Sequence, residues 1–282
     1  MQKSDVLVVG GSAAGLVAAQ IGRARFPEKD FLVVRETESA LIPCAIPYVF
    51  GSLGGTDKNV LPDALATKNG ARVLIDRVES VDRKQKLCTT AGGERIEYEK
   101  LIIATGSRPI VPEWLKGSGL TNVFTVPKDR GYIQEMLESL KEKRSVAVIG
   151  AGFIGVELAD QLRAVPMDVH LVEILPHVLG TAFDEEIAVE AEQLLTEKGI
   201  NLLTGVGVAE ILGEDSVRGV RLTNDETLEV DAVVLAMGYH PETALAKRAG
   251  LPVTEHGFIQ VDEYMRTADP DILAIGDCAE KR

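Results

Sequence analysis

The feature that most restricts what this chain can fold into is that it runs through one layout twice. The apolar run Val6-Leu7-Val8-Val9 leads into Gly10-Gly11-Ser12-Ala13-Ala14-Gly15 and an alanine-rich helical stretch. Later, Val146-Ala147-Val148-Ile149 leads into Gly150-Ala151-Gly152-Phe153-Ile154-Gly155 and another helix. Each copy also has a late apolar strand closed by the pattern A-x-G-x-x-P: Leu101 to Ile103 before Ala104-Thr105-Gly106-Ser107-Arg108-Pro109, and Val233 to Leu235 before Ala236-Met237-Gly238-Tyr239-His240-Pro241. A doubled pattern of this kind argues for two modules built on one plan.

Each module opens as strand, glycine turn, helix, strand, which begins a doubly wound parallel sheet. The apolar runs do not alternate, as expected of parallel strands buried on both faces. Shorter, alternating strands are predicted in 71–90 and 201–230, with turns at Gly92-Gly93 and Gly213. Strand character returns over 257–275, closing in Asp271-Ile272-Leu273-Ala274-Ile275-Gly276-Asp277. That run reads as a strand added back to the first module, which makes the second an insertion. The expectation is an α/β chain with a first domain over 1–112, a second over 113–244, and a return to the first over 245–282.

The 282 residues are too many for one ordinary core. With 45% hydrophobic and 26% charged residues, the chain is not of a disordered class. Its 43 acidic against 30 basic residues give a net charge of −13. Without a local basic patch, that charge argues against nucleic acid and anionic membrane surfaces as partners. No run approaches the roughly 20 apolar residues that span a bilayer, and no signal sequence is evident at the N-terminus. The three cysteines (Cys44, Cys88, Cys278) form no C-x-x-C pair, so neither a disulfide scaffold nor a thiolate metal site is expected. Nor do the four histidines show metal-ligand spacing. The expectation is a soluble cytoplasmic protein without a metal.

A dinucleotide pyrophosphate needs backbone N–H donors and a close approach to the main chain. Glycine supplies both, and the following helix points its N-terminal partial charge at the phosphates. The second loop fits this template at Gly150, Gly152 and Gly155, with Phe153 and Ile154 opening the helix. Glu173 ends the strand that follows, where a carboxylate accepts both ribose hydroxyls and repels a 2′-phosphate, so NADH is expected over NADPH. The first loop departs from the template. Ser12 stands where the middle glycine belongs, although Gly11 precedes it and Gly15 is in place. Its second strand ends in Arg35 with Glu36 next, so either Glu36 accepts from a ribose or that contact is missing.

With both loops, the two closing segments and Thr267-Ala268-Asp269-Pro270-Asp271 to Asp277 in view, the chain resembles the FAD-dependent pyridine nucleotide–disulfide oxidoreductases. The resemblance runs over essentially the whole sequence. It implies two Rossmann-like, three-layer β/β/α dinucleotide-binding domains, the NAD domain inserted into the FAD domain. It places FAD on Gly10, Gly11, Ser12, Ala13, Ala14, Gly15, Arg35 or Glu36, Pro43, Thr105, Gly106 and Asp277. NAD(P)H falls to Gly150, Gly152, Phe153, Ile154, Gly155, Glu173 and Gly238, with Glu157 near the incoming nicotinamide.

Leu41-Ile42-Pro43-Cys44-Ala45-Ile46-Pro47-Tyr48 narrows the resemblance. Disulfide reductases of this superfamily carry a second cysteine five positions on, where this chain has Val49. A single cysteine before P-Y looks like the branch of coenzyme A disulfide reductases, NADH oxidases and NADH peroxidases. The implied activity is NAD(P)H-driven reduction of a low-molecular-weight disulfide or persulfide, coenzyme A included, by way of FAD and then Cys44. The alternatives are reduction of O2 or peroxide, or electron transfer to a protein with Cys44 inert. Pro43 and Pro47 suggest a helix starting just past the sulfur, which would lower its pKa. Cys88 reads as structural, and Cys278 carries no implied redox role. Members of the branch continue past Asp277 into a flavin-capping helix and a dimerisation domain that this sequence does not reach. The expectation is weakened FAD affinity for this chain alone, and dimers only where that domain is present.

Overall fold

The computed structural model describes residues 1–281 and divides the chain into two compact units. The first comprises Met1–Ile42, Val60–Arg108 and His240–Arg282; the second comprises Pro43–Asn59 and Pro109–Tyr239.

In the first unit, β1 (Gln2–Val9) is followed by α1 (Ala13–Arg25), β2 (Phe31–Arg35), β3 (Arg72–Ile75), β4 (Val78–Asp82), β5 (Leu87–Thr90) and β6 (Arg95–Ile103). The parallel part of the sheet runs β3-β2-β1-β6, and the late strand Ile272–Ala274 pairs in parallel with Leu101–Ile103. The chain therefore returns to its first sheet after the second unit, as the late apolar run predicts. Residues on both faces are buried: Leu7, Val8, Leu32, Val33, Leu101 and Ile103 are each within 2% of complete burial. That two-sided burial explains the continuous apolar runs. The N-terminal half of β6 pairs instead with β5, which pairs with β4, in an antiparallel arm. On the other side α1 turns Gly15, Leu16 and Ala19 inward, and Arg23 and Arg25 close its last turn against the helix dipole.

The second unit repeats the plan: β7 (Val123–Thr125), α2 (Arg130–Lys141), β8 (Ser145–Ile149), α3 (Phe153–Arg163), β9 (Asp168–Val172), α4 (Glu185–Glu197), β10 (Asn201–Leu203), β11 (Val208–Gly213), β12 (Val217–Leu222), β13 (Thr227–Glu229) and β14 (Ala232–Leu235). The parallel sheet runs β7-β14-β8-β9-β10, and β11-β12-β13 form an antiparallel meander. Val208, Ile211 and Val220 of the meander share one core with Ala147, Ile149 and Val233 of the parallel sheet. Buried Leu158, Ala159 and Leu162 of α3 face inward from the helical layer. The result is three layers of β, β and α. One detail differs from the sequence reading: Asn201–Leu203 is not part of the alternating meander but the parallel edge strand, with Leu202 level with Leu171.

Residues 43–59, assigned with the first domain from sequence, group with the second unit. They form three short 3-10 turns, Pro43–Ala45, Pro47–Phe50 and Thr56–Asn59, and not the helix expected past Cys44. Two prolines within five residues leave too few N–H donors for a regular α-helical ladder there.

Gly15 sets the spacing between α1 and the turn before it. A Cβ on this residue would lie 1.9 Å from the Gly10 carbonyl oxygen. Gly15→Ala is expected to destabilise the first unit by about 1–3 kcal/mol through overpacking, read as a lower urea midpoint with an unchanged slope.

Candidate functional site

Both glycine loops stand at the carboxyl edge of a parallel sheet. Val9 is level with Val34 and Ile103, and Ile149 is level with Val172 and Leu235, so three strands end together beneath each loop. This edge is where ligands of doubly wound sheets bind.

At the first loop, Gly10 has φ +108°, and a Cβ there would sit 2.1 Å from the Ala104 carbonyl oxygen. The loop thus lies directly on Ala104-Thr105-Gly106. Ala104 N–H donates to Val9 O at 2.7 Å, and Ile275 N–H donates to Ile103 O at 2.9 Å. Gly276 then passes so near the first turn of α1 that its Cβ would be 2.9 Å from that of Ala14. Asp277 follows, exposed, with its carboxylate accepting from the Ser107 hydroxyl at 2.8 Å. Thr105 donates its hydroxyl to the Glu242 carbonyl, and Glu242 N–H donates to Gly106 O. Gly10 to Gly15, Thr105, Gly106 and Asp277 are therefore gathered around one helix N-terminus. Ser12 occupies the N-cap position in extended conformation, yet its side chain bonds no amide of the first turn. The amide donors there lack a side-chain cap, the condition that suits a pyrophosphate.

Arg35 is not part of this opening. It is 5% exposed, and its stem packs where a Cβ on Gly11 would stand. The guanidinium forms a fork on Asp63 at 2.6 and 2.9 Å and donates to the carbonyls of Thr37 and Glu38. Four of its five N–H donors are thus spent inside the protein. Of the two residues weighed at this strand end, the exposed one is Glu36. Asp63 escaped the sequence reading; the signal was an arginine ending a buried strand, which needs an anion within reach.

The second loop has the same frame. Gly150 has φ +100°, and a Cβ would lie 2.6 Å from the Ala236 carbonyl oxygen; nothing stands within 4 Å of one on Gly152. Gly152 caps α3 with no side-chain bond, leaving Phe153 and Ile154 to open the helix. Glu173, 9% exposed, accepts from Ala151 N–H at 2.6 Å and from Leu175 N–H at 2.9 Å. It braces the glycine loop against its own strand, a task the sequence did not reveal, and each oxygen keeps a further lone pair. Gly238, with φ +94°, accepts from Ile110 N–H at 3.0 Å.

One turn into α3, Glu157 is half-buried, and burial holds its carboxyl above the usual glutamate range. Cys44 belongs to the same unit and is exposed, whereas Cys88 and Cys278 are fully buried. Burial pushes the Cys88 thiol up to about 12, and Cys278 Sγ lies 3.3 Å from Ile275 O. Pro43 and Cys44 fall in the second unit and the first glycine loop in the first. Among the described residues, no group of three or more His, Cys, Asp or Glu is placed to hold a metal. Nor is any helix among them long and apolar enough to cross a membrane.

Comparison with known proteins finds a family match over residues 4–282, to the pyridine nucleotide-disulphide oxidoreductases. The chain is 34% identical to the NAD(P)H coenzyme A polysulfide/persulfide reductase of Pyrococcus horikoshii, over 99% of its own length and 64% of that protein's. It is 32% identical to an NADH oxidase of Methanocaldococcus jannaschii, over 97% of itself and 63% of the relative. It thus spans a little under two thirds of the length of these curated relatives. Among solved structures, the ferredoxin reductase for the CYP199A2 system of Rhodopseudomonas palustris superposes with a TM-score of 0.91 at 31% identity, covering 99% of this chain and 69% of that one.

The raised carboxyl of Glu157 fixes the sign of a pH effect. Its neutral form is favoured in the folded state, so the stability it allows is complete below the unfolded pKa and is lost as pH rises through the folded one. Glu157→Gln, which mimics the neutral acid, is expected to raise the urea midpoint at neutral pH. The gain should vanish below the carboxylate range.

Proposed function

The chain belongs to the pyridine nucleotide-disulphide oxidoreductase family, and on that footing we propose that it is an NAD(P)H-driven flavoprotein oxidoreductase that reduces a low-molecular-weight disulfide or persulfide through Cys44. The observation that carries this reading is the pairing of two uncapped helix N-termini of one geometry with a single exposed cysteine.

FAD would lie on Gly10 to Gly15, with Glu36 toward its ribose and Thr105, Gly106 and Asp277 around it. NADH would lie on Gly150, Gly152, Phe153, Ile154 and Gly155, with Gly238 beyond. The remaining lone pairs of Glu173 would meet the adenosine ribose, and its charge disfavours the 2′-phosphate of NADPH. A flavin held there would supply a two-electron carrier between the reduced nicotinamide and the sulfur of Cys44.

This chain's own contributions are binding and placement. The N-termini of α1 and α3 offer amides and a positive partial charge to the two pyrophosphates. Glu157, one turn into α3, would stand near the incoming nicotinamide, where its side chain would help to place the ring. Cys44, exposed, would attack the substrate disulfide and release one thiol. The net reaction takes a hydride and a proton and returns two thiols.

A second reading, reduction of O2 or peroxide, is favoured by the likeness to the Methanocaldococcus NADH oxidase. Both readings use one cysteine, and they part on the acceptor. Cys44→Ser is expected to abolish NADH-dependent reduction of coenzyme A disulfide, a drop of at least about 100-fold. Reduction of an artificial dye by NADH should be unchanged. A variant that still reduces the disulfide overturns the reading.

A further inference from the structure

The segment that bears Cys44 is fastened to the same helix whose N-terminus forms the second glycine loop. Between Pro43 and Gly51 the backbone is one short hydrogen-bonded rod. Ile46 N–H donates to Pro43 O at 3.2 Å, Val49 N–H to Ile46 O at 3.1 Å, and Gly51 N–H to Tyr48 O at 3.3 Å. Ile46, Val49 and Phe50 are buried along it, while Cys44 at its start is exposed.

The far end of the rod is pinned to α3. Ser52 N–H donates to Gln161 Oε1 at 2.9 Å. Gly51 comes so close that a Cβ on it would stand 2.6 Å from the Gln161 carbonyl oxygen and 2.7 Å from Oε1. The Gln161 amide is oriented for this task, because its Nε2 donates to Asp160 at 3.2 Å and turns Oε1 toward Ser52. Further on, the buried Thr56 donates its hydroxyl to Gln134 of α2 at 2.7 Å, and Asp57 pairs with Arg130 at 2.5 Å. Gln161 lies one turn beyond Glu157 on the same helix, at the i,i+4 spacing that places two side chains on one face. One rigid helix therefore carries the uncapped N-terminus, the raised carboxyl and the pin that holds the cysteine segment.

We propose that Gln161 is a positioning residue for Cys44: by holding Ser52 and accommodating only glycine at position 51, it fixes the cysteine rod on α3. Disulfide attack and release need the sulfur at a set place, and a displacement of the order of 1 Å costs about 100-fold in rate. The chemical purpose of the placement rests on the reading of Cys44 as the reacting thiol. The mechanical claim stands on the contacts within this unit.

The test attaches a nitroxide spin label to Cys44, the one exposed thiol, since Cys88 and Cys278 are buried. The expected spectrum for the unsubstituted protein is that of an immobilised label. Gln161→Ala, which removes the acceptor, and Gly51→Ala, which pushes the rod off the helix, should each sharpen it. Unlabelled samples of both variants should bind NADH with unchanged affinity, and thermal unfolding monitored by circular dichroism checks that they remain folded. Where the parent reduces coenzyme A disulfide, both variants should lose about 10- to 100-fold in kcat, with KM for NADH and dye reduction unmoved. Spectra unchanged in both folded variants overturn the proposal. If the parent reduces no disulfide, the functional reading fails, while the label spectra still decide the proposal.

Discussion

Everything at the two loops depends on one contact between backbones. Gly10 and Gly150 each turn into positive φ and lie against the carbonyl of the alanine that opens A-x-G, at separations no Cβ permits. That approach brings the end of the late strand to the mouth of the glycine turn. It lets Val9, Val34 and Ile103 finish level in one unit, and Ile149, Val172 and Leu235 in the other. A side chain at either glycine would push the late strand away, and the first turn of the helix would lose the wall it stands beside. The repeated pattern in the sequence is thus one steric solution used twice.

The two copies differ in how they are braced electrostatically. In the first, Arg35 lies under Gly11 and is forked onto Asp63, so a cation fills the place beneath the loop and an anion is brought in to neutralise it. In the second, Glu173 reaches up to the Ala151 and Leu175 amides, so a carboxylate does the bracing with one bond to each oxygen. A buried ion must be paired or hydrogen-bonded to be tolerated, and each unit meets that demand with opposite charge. Around its loop the first unit exposes the carboxylates of Glu36 and Asp277.

Strand type and the return of the chain to its first sheet were legible in the sequence because they follow from local patterns, whereas the three-layer plan came only from the family resemblance. Two-sided burial writes itself as unbroken Val, Ile and Leu, and a missing Cβ as glycine. What was not legible came from partners far apart in the chain. An arginine ending a buried strand signals an anion nearby but not that it is Asp63, and the bond from Ser52 to Gln161 has no local signature at all. The loop-bracing bonds of Glu173 were hidden because the template for such strand-end carboxylates names only the ribose. The turns around Cys44 were misread as a helix start because proline at the first helical position is a helix signal. A second proline so near makes it a signal for 3-10 turns instead. The edge strand Asn201–Leu203 is three residues long, too short for alternation to distinguish a parallel edge from a meander.

The central claim is that electrons from NADH reach sulfur at Cys44. It is tested most directly by an anaerobic NADH titration of FAD-loaded protein whose Cys44 has first been converted to its mixed disulfide with coenzyme A. A disulfide is a two-electron acceptor, so the account predicts that the flavin absorbance bleaches fully only after a second equivalent of NADH, and that one free coenzyme A thiol is released. Complete bleaching with the first equivalent, and no thiol released, would contradict it.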